Sequence, residues 1–282
     1  MQAVNNDLHI SIFSKALYSS WCHVPQYNLL FDCGEGCATN IGNYLAGIEM
    51  VFLGHLHGDH VLGLPSVIGC RNSGRGISRN KDTMCNNKPL NIYYPEDNDM
   101  TDMIAFVNSR NGNYLRYDLK FIPISAGFEK QLGKNVYLRA FNMKHQKNKS
   151  TLGYVIYENR TRLKKEYQGQ DIPTLIKQGI DGKTLNETYR ANLFAYCLDA
   201  YAIPDYKELV ECKDVIMDCT FINAEDRDDP THFTLDEAYK LSQTIGIKNM
   251  YAAHLSGRYN YNEVSKDYAD IKFINPYKVN EL

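Results

Sequence analysis

Four side chains that favour metal ions crowd into one short stretch of the sequence. In "VFLGHLHGDHVLGLPSVIG", residues 51–69, His55, His57, Asp59 and His60 follow the spacing H-x-H-x-D-H. Imidazole nitrogens and a carboxylate oxygen are the donors that Zn²⁺ or Mn²⁺ accepts at about 2.0–2.2 Å. Packed together without a cation, such groups would leave several desolvated polar atoms unsatisfied. Metal binding is therefore the chemistry expected here. The preceding run "MVFLG" reads as a buried strand, so the cluster lies where a strand gives way to a loop, and Gly58 lets the chain bend sharply enough for the side chains to converge.

Further donors must come from afar. His145 in "FNMKHQ", Asp199 in "YCLDAY" and His254 in "YAAHLSGRY" stand at the ends of other strand-like runs, and His232 precedes a helix. Singly, each would more often be an ordinary surface or core residue; it is their joint order that points to a site. Strand signals recur throughout: "HISIF", "YNLLFDCG", "LNIYYP", "LKFIPIS", "NVYLRAFNM", "LGYVIYE", "LFAYCLDAY", "VIMDCTF", "NMYAAHL" and "DIKFINP". Helices are fewer. The clearest is "HFTLDEAYKLSQTIG", with a capping box of Thr234 and Glu237 and a stop at Gly246; "TDMIAFVNSRNG" is another. This balance predicts two packed sheets with helices outside rather than one doubly wound sheet.

Two segments break the rhythm. Residues 71–88 are rich in Gly, Asn and cations and read as a mobile loop beside the histidines. Residues 159–190 read as a basic, then helical, insertion between two strands: a lid, an arm or a dimer contact.

Composition narrows the partners. A chain of 282 residues with formal net charge −2 carries no global basic field of the kind that holds a protein on nucleic acid or an anionic membrane, although a local patch is compatible with it. One domain over 1–282 is expected. No apolar run approaches the roughly 20 residues of a membrane span, and the polar start lacks the layout of a secretory signal, which predicts a cytoplasmic protein. The 8 cysteines include no C-x-x-C pair and read as free, mostly buried thiols.

"FDCGEG" at 31–36, "HLHGDHVLGLP" at 55–65, "DCTF" at 218–221, His232 before a helix and "HLSGRY" at 254–259 together resemble the metallo-β-lactamase superfamily, and within it the ribonuclease Z-like branch. The resemblance covers nearly the whole chain. It implies an αββα sandwich, an α/β (α+β) fold, with two Zn²⁺ or Mn²⁺ ions at one edge of the sheets. It further implies that His55, His57 and His145 hold the first ion, that Asp59, His60 and His254 hold the second, and that Asp199 bridges them. Asp59 could also take part in proton transfer. His232 would act at the leaving oxygen as general acid or transition-state stabiliser, oriented by a carboxylate. That carboxylate is here Asp218, where the branch usually carries glutamate after a histidine, and the shorter side chain puts the geometry in question.

A second departure bears on substrate. Ribonuclease Z proteins of this length carry a long arm with a Gly-Pro-rich tip that grips tRNA, and residues 159–190 contain no such tip. "RTRLKKEYQG", "FSKALYSSW" and "RNSGRG" instead resemble the anti-Pycsar cyclic nucleotide phosphodiesterases. That resemblance implies hydrolysis of 3′,5′-cyclic mononucleotides such as cCMP, cUMP, cAMP and cGMP, which counters antiphage signalling, by a homodimer in the cytoplasm, that of the host if the protein is phage-encoded. The alternative is a ribonuclease Z-type endonuclease trimming tRNA 3′ ends. Arg71, Arg75 and Arg79 suit either phosphate contact or a solvated loop; Tyr18, Trp21 and Tyr259 suit either base stacking or core packing.

Overall fold

Leu29–Phe31 and Met50–Phe52 are apolar throughout, and Asp214–Asp218 at its three central positions, because both of their faces are covered. In a computed structural model of the chain, which describes residues 7–73, 88–111, 115–177, 179, 181–227 and 230–282, these runs are strands of two seven-stranded sheets. The first sheet contains β1 (Ser11–Lys15), β2 (Ser19–Val24), β3 (Leu29–Phe31), β4 (Met50–Phe52), β5 (Leu90–Pro95), β6 (Leu119–Ile124) and, at its edge beside β1, β14 (Asn280–Glu281). The second runs in the order β13 (Lys272–Phe273), β12 (Asn249–Ala253), β11 (Asp214–Asp218), β10 (Asn186–Cys197), β9 (Thr151–Leu163), β8 (Val136–Met143) and β7 (Glu129–Gln131).

Alternation along each strand assigns its side chains to layers. Leu29 and Phe31 of β3 and Ile216 of β11 enter the core between the sheets, where Phe31 stacks on Tyr196 and Tyr154 with centroids 5.2 and 5.5 Å apart. Leu30 faces outward, onto α1 (Cys37–Ile41), α3 (Leu64–Ser73) and α4 (Thr101–Asn111). Val215 and Met217 face the opposite outer layer, built by α6 (Leu235–Thr244) and α7 (Tyr261–Asp267). The expected αββα sandwich is thus observed. The capping box is too: the Thr234 hydroxyl accepts from Glu237 N, and the Glu237 carboxylate accepts from Thr234 N.

Three expectations are corrected. β2, "SSWCHV", gave no strand signal, yet its Ser20 is buried against Ser14 of β1 with their hydroxyls 3.2 Å apart. The insertion at 159–190 begins and ends as sheet around its helical part: β9 and β10 pair from Leu163↔Asn186 inward, while β8 reaches only to Glu158. The two strands therefore project as a ribbon, whose tip carries, among the described residues, a short helical turn at Lys165–Tyr167 and α5 (Ile172–Lys177). Its charged residues pair across the ribbon, as Arg162 does with Glu187 at 2.7 Å. Gly58 makes no sharp bend; it opens the one-turn helix α2 (Gly58–Val61), with His57 extended before it. Among the described residues, Cys22, Cys33, Cys37, Cys197, Cys212 and Cys219 are buried free thiols and Cys70 is exposed; Cys85 lies outside them, as do Arg75, Arg79 and most of the 71–88 loop. Arg71 is buried over the Tyr117 ring, so it is not a free phosphate contact. No helix among the described residues is long and apolar enough to cross a membrane.

Candidate metal centre

All of the expected donors gather at one edge of the sandwich, where strands end. The link after β4 carries His55 and His57, and α2 carries Asp59 and His60; β8 ends just before His145, β10 before Asp199 and β12 before His254. Asp199 and His254 adopt positive φ, 56° and 64°. Asp and His enter this region more readily than most residues, at a cost of roughly 1–3 kcal/mol each, and such strain concentrates at functional sites.

The spacing of donor atoms tests whether a cation fits. Two ligands at 2.0–2.1 Å from a tetrahedral ion lie roughly 3.4 Å apart. His57 Nδ1 is 3.2 Å from His145 Nε2, and Asp199 Oδ2 is 3.5 Å from His55 Nε2 and 3.6 Å from His145 Nε2. On the other side, Asp199 Oδ1 is 3.3 Å from His60 Nε2 and 3.2 Å from His254 Nε2, while Asp59 Oδ2 is 3.6 Å from His60 Nε2 and 3.4 Å from His254 Nε2. The two oxygens of Asp199 thus face different groups of donors. His55 Nε2, His60 Nε2 and Asp199 Oδ1 are buried without a hydrogen bond of acceptable geometry. Buried polar atoms of this kind are normally satisfied, by a cation if not by a hydrogen bond, and these donors fit two such ions.

Protonation suits ligation at His55, His57, His145 and Asp199, though not at His60. Burial, reinforced by neighbouring imidazoles, lowers the pKa of His55 and His57, and burial lowers that of His145. Burial would lower His60 as well, but Asp199 and Asp32 outweigh it and raise the value. For Asp199, desolvation opposes ionisation, yet His254 and His60 hold its pKa well below the ordinary range.

Hydrogen bonds behind the donors orient them. His145 Nδ1 donates to Thr231 O at 2.8 Å, which leaves its Nε2 facing the cluster. His254 Nδ1 lies 2.9 Å from the Thr220 hydroxyl, which donates to Asp218 Oδ1 at 2.7 Å. Asp32, in "FDCGEG", is a residue whose part was not read from the sequence. At the end of β3, with φ 51°, its Oδ1 accepts from Gly54 N at 2.7 Å, and its Oδ2 accepts from His60 Nδ1 at 2.6 Å and the Tyr196 hydroxyl at 2.9 Å. A carboxylate directly after a buried strand was the available signal.

His232 and Asp218 also meet. Asp218 Oδ2 accepts from His232 Nδ1 at 2.6 Å and from Ala200 N at 2.9 Å, so the shorter side chain reaches after all. Burial acts to lower the His232 pKa, but the Asp218 charge and hydrogen bond prevail and raise it to about 9. The His232 ring lies 4.7 Å from that of His145 and 5.2 Å from that of His254, at the rim of the donor cluster. Of the aromatic candidates, Trp21 is buried and stacks on Phe13, Tyr259 donates its hydroxyl to Asp226, and Tyr18 is exposed beneath Lys15.

No family model matches the chain. A ribonuclease Z from Methanococcus maripaludis is 25% identical over 276 residues, covering 88% of this chain and 84% of the relative. A ribonuclease BN from Proteus mirabilis is 28% identical over 263 residues, covering 83% and 80%. Among solved structures, the short form of human tRNase Z superposes with a TM-score of 0.67 at 17% identity over 97% of this chain and 98% of that one. A metallo-beta-lactamase fold protein from Bacillus subtilis gives 0.64 at 14% identity over 98% and 100%. At these identities the structural likeness is one of fold. With that fold, the curated relatives along most of its length and the donor cluster at the sheet edge, the chain is similar to the metallo-β-lactamase superfamily, in its ribonuclease Z-like branch.

Proposed function

We propose that this metal-dependent hydrolase is a phosphodiesterase working with two divalent cations, and that it opens 3′,5′-cyclic mononucleotides to nucleoside monophosphates. The observation that carries the reading is the division of Asp199, whose oxygens face two separate sets of donors, with His232 and Asp218 at their rim. His55, His57 and His145 would hold one cation, Asp59, His60 and His254 the other, and Asp199 both. Such a pair supplies Lewis-acid activation of a phosphodiester and of the attacking water.

The chain's own residues supply the proton handling. Asp59, half-buried at the cluster, takes the proton released by the water. Asp218 holds Nδ1 of His232, leaving Nε2 free to give its proton to the departing ribose oxygen as the phosphorus–oxygen bond breaks. Several bases should be accepted, since this machinery addresses the phosphate.

The names of the relatives speak more directly for the second reading, ribonuclease Z-type trimming of tRNA 3′ ends. Against it stands the ribbon tip, which has six helical residues in α5 and no Gly-Pro run with which to grip tRNA. Incubating the protein with Mn²⁺ or Zn²⁺ alongside cyclic mononucleotides and a 3′-extended precursor tRNA decides between them. Opening of the cyclic nucleotides with the tRNA left intact is expected; efficient tRNA trimming with inert cyclic nucleotides would overturn the choice in favour of the second reading. The reading includes a cytoplasmic homodimer, which light scattering at micromolar concentration tests; a fully active 32 kDa monomer would remove the dimer.

A further inference from the structure

Gln146 follows the donor His145 and lies half-buried against His57. Its Nε2 makes a short contact with His57 Nε2, while its Oε1 is buried with no hydrogen-bond partner. A buried amide oxygen without a partner costs roughly 1–3 kcal/mol, so the arrangement calls for an explanation.

The tautomers around it supply one. Because His145 Nδ1 donates to Thr231 O, His145 Nε2 is a bare lone pair aimed at His57 Nδ1, 3.2 Å away. Two arrangements satisfy the imidazole nitrogens. In the first, His57 carries its proton on Nδ1 and donates it to His145, and the Gln146 amide nitrogen donates to a bare His57 Nε2. In the second, a cation lies between the two lone pairs, His57 carries its proton on Nε2, and the group facing that proton must be an acceptor. Rotating the Gln146 amide by half a turn presents Oε1 there as that acceptor, while the amide nitrogen takes the position the oxygen held. Amide nitrogen and oxygen differ little in shape, so the exchange needs no movement of the loop.

We propose that Gln146 is a positioning residue for the first cation, its carboxamide turning to accept the His57 Nε2 proton and so holding Nδ1 ready to ligate. The inference rests on the cation reading above and adds that His57 ligates through Nδ1 with Gln146 as its orienting partner. Outer partners of ligating histidines typically contribute 10–100-fold in metal affinity. The loop is anchored independently of Gln146, by Lys144 N to Ala202 O at 2.9 Å on one side and by Ser150 on Asp97 at 2.8 Å on the other, so substitution should not unfold it.

The test uses the full chain, stripped and titrated with Zn²⁺ against a chelator, as wild type, Gln146→Met and Gln146→Glu. Met keeps the length without an acceptor; Glu offers only acceptors. Wild type should bind two ions. Gln146→Met should bind the first about 10–100-fold more weakly and the second unchanged, and Gln146→Glu should restore the first. Imidazole ¹⁵N shifts should show His57 protonated on Nε2 in loaded wild type and in Gln146→Glu, a readout that a general charge effect would not move. Wild-type affinity in Gln146→Met, or a Gln146→Glu as weak as Gln146→Met, would overturn the inference while leaving the cation reading standing. Wild type that binds no ion would overturn both.

Discussion

Replacing Asp32 by Asn changes almost no volume and reverses the hydrogen bonds at one of its two oxygens. The carboxylate accepts from Gly54 N, His60 Nδ1 and the Tyr196 hydroxyl, all buried. If the Asn oxygen keeps Gly54 N, the new amide nitrogen faces His60 Nδ1, which must then be a bare lone pair, and the proton moves to Nε2. That nitrogen, 3.3 Å from Asp199 Oδ1 and 3.6 Å from Asp59 Oδ2, can then no longer serve as a ligand. If the amide is placed the other way, Gly54 N–H is left unpaired at roughly 1–3 kcal/mol. The first arrangement, which leaves no N–H unpaired, is the one expected, and it weakens the second cation by about 10–100-fold or about 1.4–2.7 kcal/mol. The first cation should be spared, because Asp32 touches none of His55, His57 and His145. Chelator competition would show two steps in wild type and a selectively weakened second step in Asp32→Asn, with the protein still folded by circular dichroism. Unchanged affinity at both steps, with only a fall in stability, would refute the tautomer argument and reduce Asp32 to a structural acceptor.

Asp218→Asn should lower kcat by about 10²–10⁴-fold while both cations remain bound, since Asp218 contacts His232 and not the cluster directly; turnover assays paired with elemental analysis check it. Phe31→Ala removes a fully buried ring between Tyr154 and Tyr196 and should cost about 3–5 kcal/mol in chemical denaturation of the metal-free protein. His23 is buried on β2, and burial, aided by the His9 charge, lowers its pKa from 6.5 to about 4. Because the folded value is the depressed one, its contribution is complete above pH 6.5 and is lost as pH falls toward 4. The gap corresponds to at most about 3.5 kcal/mol, at about 1.4 kcal/mol per pH unit. The stability difference between wild type and His23→Phe should therefore shift by up to that amount across this window, and a constant difference would contradict it.

The donors were legible in the sequence because metal chemistry admits few residue types and strand ends place them at one edge. His145, Asp199 and His254 could be found from afar for that reason. Strands covered on both faces announced themselves as unbroken apolar runs. β2 did not, since Ser20 and His23 are polar residues buried by pairing and packing that only the folded neighbours reveal. The strands at the two ends of 159–190 were missed for the opposite reason: both their faces are wet, so Arg162, Glu187 and Tyr189 support one another across strands while composition shows only a basic, then helical, insertion. Asp32 and Gln146 depend on partners 28 and 89 residues away, and nothing local in either residue declares the imidazole that it meets.

The two sheets meet the donor cluster as separate contributors. His55, His57, Asp59 and His60 arrive from the first sheet, and His145, Asp199 and His254 from the second. Any cation held in either place therefore rivets one half of the chain to the other at the edge where no strand crosses between them. Metal supply then governs mechanical integrity as well as chemistry: a stripped protein should open first along this seam, with the aromatic layer around Phe31 acting as the hinge.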